Sequence, residues 1–116
     1  MIALLATIAI QQTWQPVEIS VYSKRYHGRR TASGERYDHY KGFTGATTYR
    51  NGRWTMPKGS VWEIEYQGRR VTVRINDTGS HRPRKAPVWI DLNGNAWTKL
   101  TGIAPSRKVA QMRRIK

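Results

Sequence analysis

Acids are scarce in this chain: seven Asp and Glu stand against 21 Lys and Arg. Asp77 is the one whose setting points most clearly to chemistry. It follows Arg70-Val71-Thr72-Val73-Arg74-Ile75, where Val71, Val73 and Ile75 alternate with polar residues at the period of a half-buried β-strand. The alternation breaks at Asn76-Asp77-Thr78-Gly79. Asn and Asp bond their own backbone readily and Gly takes positive φ, so a turn is expected there. A carboxylate held where a rigid strand ends is a common way to present an acid to a groove. Asp77-Thr78-Gly79-Ser80 also matches the aspartic-protease motif. It follows Arg74-Ile75-Asn76 rather than an apolar strand end, however, and no apolar-apolar-Gly partner comes later. His27, His39 and His81 lack metal-ligand spacing, so no metal or cofactor is expected. The chain has no cysteine, which excludes a disulfide framework and Cys-based zinc or redox sites.

The elements that must hold Asp77 read mostly as short strands. Val17 to Tyr22, Val61 to Tyr66 and Val109 to Ile115 alternate, and Val88 to Leu92 is a short apolar run. Gln67-Gly68 reads as a tight hairpin into the strand before Asp77. Asn93 to Leu100 can form one or two helical turns, with Asn93 as N-cap and Gly102 as stop. Lys24 to Thr48 has little apolar periodicity and is expected to be a long loop. Ser80 to Pro87 reads as a basic, Pro-containing loop. Five or six strands and one short helix imply a small β-barrel, which removes free strand edges by closing.

A chain of 116 residues is one domain, expected over 13–116. Residues 1–12 begin with an apolar run, Met1 to Ile10, too short to span a bilayer, which needs about 20 residues. It resembles the apolar part of a secretory signal, without a preceding Lys or Arg. A signal or membrane-contact segment is expected there, and a first strand or helix packed on the domain is the other reading. The net charge of +14 calls for an anionic partner: nucleic acid, a membrane surface, or a wall polymer carrying carboxylates and phosphates.

Four stretches, in order, resemble one family. Tyr26-His27-Gly28-Arg29-Arg30-Thr31-Ala32-Ser33-Gly34-Glu35-Arg36-Tyr37-Asp38 resembles the signature of rare-lipoprotein-A-like double-psi β-barrels, with Thr31 to Glu35 identical to it. Met56-Pro57-Lys58-Gly59-Ser60, Val73 to Gly79 and Trp89-Ile90-Asp91-Leu92 are similar to its later motifs. The resemblance covers about residues 19 to 115. It implies a mainly β fold, a six-stranded double-psi β-barrel with one or two short helices and a glycan-binding groove.

By the same resemblance the chain is expected to be a lytic transglycosylase. Such an enzyme cleaves peptidoglycan between N-acetylmuramic acid and N-acetylglucosamine to give a 1,6-anhydro product. One carboxyl suffices, because the sugar's own 6-hydroxyl is the nucleophile, whereas a two-carboxylate hydrolase needs a matched pair. The resemblance makes Asp77 the catalytic acid/base and Glu35 its assistant; a plain ion pair with a nearby Arg is the other reading of Glu35. Substrate contacts are expected from Thr31 in the signature loop, from Tyr22 and Tyr37 as stacking surfaces, and from Arg36 and Arg74, with Arg30, toward carboxylates. Asp91 is read as fixing the loop geometry through backbone amides or as a groove residue. Where the family has Ala-His, this chain has Ala46-Thr47, so His39 or His81 would have to bring an imidazole from another loop.

The second function class is a non-catalytic, expansin-like wall-binding module, which the missing His favours. Specific nucleic-acid binding rests on charge alone, with no recognition motif. The expected setting is the cell envelope or the outside of the cell, with a phage-encoded origin also open. The expected state is a monomer.

Overall fold

The computed structural model describes residues 13–50, 52–79 and 88–116. The expected N-terminal segment at 1–12, the basic loop from Ser80 and His81 lie outside them. The strands are β1 (Gln15–Val21), β2 (Thr44–Arg50), β3 (Arg53–Trp54), β4 (Val61–Tyr66), β5 (Arg69–Gly79), β6 (Trp89–Leu92) and β7 (Lys108–Arg114). A 3-10 turn spans Lys24–Tyr26 and one helix, α1, spans Gly94–Thr101.

Six strands close into a barrel in the order β2-β5-β4-β7-β1-β6, with β6 pairing back to β2 and β3 hanging on β2. Two pairs, β1 with β6 and β2 with β5, are parallel; the others are antiparallel. The chain is therefore a closed, mixed barrel of the double-psi kind.

Strands β4 and β5 behave as their alternation predicts. In β1, by contrast, Glu18 is buried between Val17 and Ile19, and in β7 Ala110 and Met112 face the core while Val109 is exposed. Trp62 and Ile64 of β4, with Val71, Val73 and Ile75 of β5, face the core. The β4–β5 hairpin turns on Gln67 and Gly68, both at positive φ (48° and 81°), the two-residue turn whose twist matches the flanking strands. Helix α1 buries Ala96, Trp97 and Leu100 against the same core. Asn93 caps it by accepting from Ala96 N–H at 3.1 Å, and Gly102 ends it in the left-handed region.

Two sequence expectations need correction. The Lys24 to Thr48 loop is interrupted by β2, whose Gly45-Ala46-Thr47-Thr48 core is buried throughout and shows no alternation. β2 is flanked by β5 on one side and β6 on the other, which demands small residues. A methyl group at Gly45 would fall inside the Ile90 side chain, 2.7 Å from Cγ1. Nor does β5 end at Asn76. It runs to Gly79, and the break in alternation is a bulge: Gly45 pairs with Ile75 but Ala46 pairs with Asp77, leaving Asn76 as the extra residue.

Candidate active site: two aspartates on either side of Ala46

The bulge makes the site. With Asn76 set aside, its carbonyl accepts from Ser33 N–H at 3.2 Å. Asp77, next along, turns its carboxylate to the same loop. Oδ1 accepts from Ala32 N–H at 2.8 Å and from Thr78 N–H at 2.8 Å. Oδ2 accepts from the Tyr22 hydroxyl at 2.6 Å. Three donors thus converge on a side chain that is 6% exposed.

The Thr31–Glu35 loop is shaped to dock there. Thr31 N–H donates to the Glu35 carbonyl at 2.7 Å, and the Thr31 hydroxyl lies 2.8 Å from both that carbonyl and Ser33 Oγ. Thr31 is buried and holds the turn closed. Arg36 donates to the Gly28 carbonyl at 2.9 Å and Arg30 to the Gly34 carbonyl at 3.0 Å, so both brace the loop. Glu35 takes both terminal nitrogens of Arg74, one at 2.8 Å. That hydrogen-bonded cation holds the Glu35 carboxyl below its usual range and raises the Arg74 guanidinium. The two residues expected to serve chemistry and substrate separately are thus bonded to each other.

Asp91 stands on the other side of β2. Ala46 pairs with Asp77 across one edge and with Asp91 across the other. Directly paired residues project from one face, and two strand spacings set their Cα atoms roughly 10 Å apart. Asp91 is half-buried and accepts from Ser20 Oγ, its β1 neighbour. Tyr22, just past β1, feels both carboxylates. Burial first, then the hydrogen bond to Asp77 and the charges of Asp77 and Asp91, push its phenol well above the usual range, so it stays a donor.

Asp91, rather than Asp77, opens on a cleft of about 500 Å³, with Tyr22, Thr78, Gly79, Arg25, Tyr26 and Arg107 around it. The absent side chain at Gly79 keeps the floor open beside Trp89, whose Cη2 would lie 2.7 Å from a methyl group there. Arg107 lies far along the chain from the matched motifs, and no local pattern marks it. Tyr26 opens the first matched stretch and Arg25 precedes it, and neither has a role by the resemblance.

Tyr37 stacks on Tyr22 with ring centroids 4.0 Å apart. Its buried hydroxyl donates to the Tyr22 carbonyl at 2.8 Å and lies 2.8 Å from His39 Nδ1. The one phenolic proton goes to the carbonyl, so neutral His39 is the Nδ1–H tautomer. Burial lowers the His39 pKa. His39 faces a second hollow of about 350 Å³, with Tyr40, Trp97 and Ile103, beyond Val21. It does not line the Asp91 cleft. Thr47, where an imidazole was expected, is fully buried and bonded to Thr55 Oγ1 at 2.9 Å.

No family model matches the chain, and no curated protein matches it. Among solved structures, the Streptomyces papain inhibitor is similar in fold: TM-score 0.63, 19% identity, covering 92% of this chain and 98% of that one. At that identity the likeness bears on the barrel alone.

Proposed function

We propose that this protein is a peptidoglycan-cleaving lytic transglycosylase of the rare-lipoprotein-A kind, acting in the cell envelope, with the glycan strand in the Asp91 cleft. One observation supports this most: Asp77 and Asp91, from two separate matched motifs, flank the same Ala46, and the Tyr22 hydroxyl beside them is bonded to Asp77. Burial divides the roles. Asp91 is the carboxyl that a sugar in the cleft meets, and Asp77 is the anchored acceptor behind it that fixes the Tyr22 hydroxyl.

In the reaction, protonated Asp91 gives its proton to the glycosidic oxygen as the bond from the muramyl anomeric carbon breaks. The resulting carboxylate takes the proton of the 6-hydroxyl as that oxygen bonds the anomeric carbon. No water is consumed, and the carboxyl ends protonated as it began.

The test is mass spectrometry of whole-sacculus digests. Asp91→Asn is expected to abolish anhydro-muropeptide release with unfolding unchanged. Asp77→Asn should lower both activity and stability. Full loss in Asp77→Asn at unchanged stability, with Asp91→Asn active, would return the acid/base role to Asp77. Hydrolysed product, or none from the parent protein, would sink the transglycosylase reading.

A second reading has its own observation. Thr47 is sealed into the barrel and His39 serves a different hollow, so among the described residues no imidazole lines the cleft. A wall-binding module needs none. It predicts salt-sensitive murein pull-down with no soluble product, indifferent to Asp91→Asn.

A further inference from the structure

From sequence, Arg30, Arg36 and Arg74 are expected to meet substrate carboxylates. In the fold each is held internally, by Gly34, Gly28 and Glu35. Among the described residues, the arginines that line the cleft are Arg25 and Arg107, which the chain brings to it across some eighty residues. Both are exposed, and neither has an ion-pair partner or side-chain hydrogen bond among the described residues. Elsewhere several arginines are matched with acids: Arg70 and Arg113 with Glu63, and Arg74 with Glu35.

Arg25 is also presented rather than loose. It rides a one-turn 3-10 segment capped by Ser23, whose Oγ accepts the Arg25 N–H at 3.3 Å. The neighbouring Tyr26 ring lies under the guanidiniums of Arg25 and Arg29, at 5.9 and 5.3 Å from the ring centroid.

A neutral glycan has no use for two unpaired cations beside its reacting carboxyl. A carboxylate-bearing one does, because guanidinium forks match carboxylate geometry. We propose that Arg25 and Arg107 form a carboxylate subsite which makes the cleft selective for acidic glycan, the anion coming from a muramyl lactyl group or from the first residues of a stem peptide. This rests on the reading of the cleft as a glycan site, and deepens it.

Binding by the full chain, measured by calorimetry or NMR titration without turnover, tests it. The probes are chitotetraose, a disaccharide repeat with free lactyl carboxylates, and the same repeat carrying an Ala-Glu dipeptide. The acidic ligands are expected to bind the parent protein better than chitotetraose. Each of Arg25→Gln and Arg107→Gln should weaken the preferred acidic ligand about tenfold and leave chitotetraose nearly unchanged. Which acidic probe wins identifies the anion's source. Equal affinity for all three, no binding of the acidic probes, or indifference of acidic binding to both substitutions overturns the subsite. Cleavage can fail while this selectivity stands, and cleavage of neutral and acidic strands alike would leave the enzyme reading standing while removing the subsite.

Discussion

The Tyr22 hydroxyl is bonded to Oδ2 of Asp77 at 2.6 Å, although 55 residues separate them. The bond ties the end of β1 to the bulge of β5 and sets the back wall of the cleft. Tyr22→Phe keeps the ring on Tyr37 but leaves a buried carboxylate oxygen without that donor. The expected loss is about 1–3 kcal/mol in urea unfolding, with several degrees in Tm. An unchanged midpoint would show that water replaces the hydroxyl at no cost.

The crowding at β2 gives a second prediction. Gly45→Ala drives a methyl group into Ile90, which is fully buried. Overpacking of this kind costs about 1–3 kcal/mol. Shortening Ile90 to Val in the Gly45→Ala background should recover part of the loss. A neutral Gly45→Ala change would mean that β2 sits further from β6 than the register requires.

Alkaline pH should loosen the fold. Burial raises the Tyr22 and Tyr37 pKa values above the ordinary range. Unfolded tyrosines ionise near pH 10, so above that the unfolded chain holds fewer protons than the native one and stability falls as pH rises. The contribution is intact below about pH 10 and is lost as pH climbs through the raised native values. Denaturant midpoints measured across that range should decline, and should decline less in Tyr37→Phe. A midpoint that holds level well above pH 10 would contradict the burial of both phenols.

Glu35→Gln should matter little to stability. Both partners of the Glu35–Arg74 pair are partly exposed, and solvent screening limits such pairs to below about 1 kcal/mol. A double-mutant cycle with Arg74→Gln measures the coupling directly, and salt should shrink it. Coupling well beyond that size would point to a pair that orders the whole signature loop.

The alternation of Val71, Val73 and Ile75 made β5 legible, and Gln67-Gly68 made its hairpin so. β2 was illegible because its small residues answer to Ile90 on a neighbouring strand, a tertiary demand without local period. The break at Asn76 was visible but was read as the end of the strand. Only the register against Gly45 and Ala46 distinguishes a bulge from a turn. The matched motifs brought Asp77, Asp91, Tyr22 and Tyr37 into view together. They could not tell the buried aspartate from the one facing the cleft. The pairing of Glu35 with Arg74 and the arrival of Arg107 depend on distant backbone, which no motif records.

β1, the first strand described, lies between β6 and β7, the last two. The barrel cannot close while β7 is missing, so a growing chain holds both edges of β1 unpaired until β6 and then β7 have been made. Closure over such sequence distances is slow relative to local folding. The sealed barrel therefore exists only once β7 has joined β1 and β4, however early the local hairpin of β4 and β5 forms.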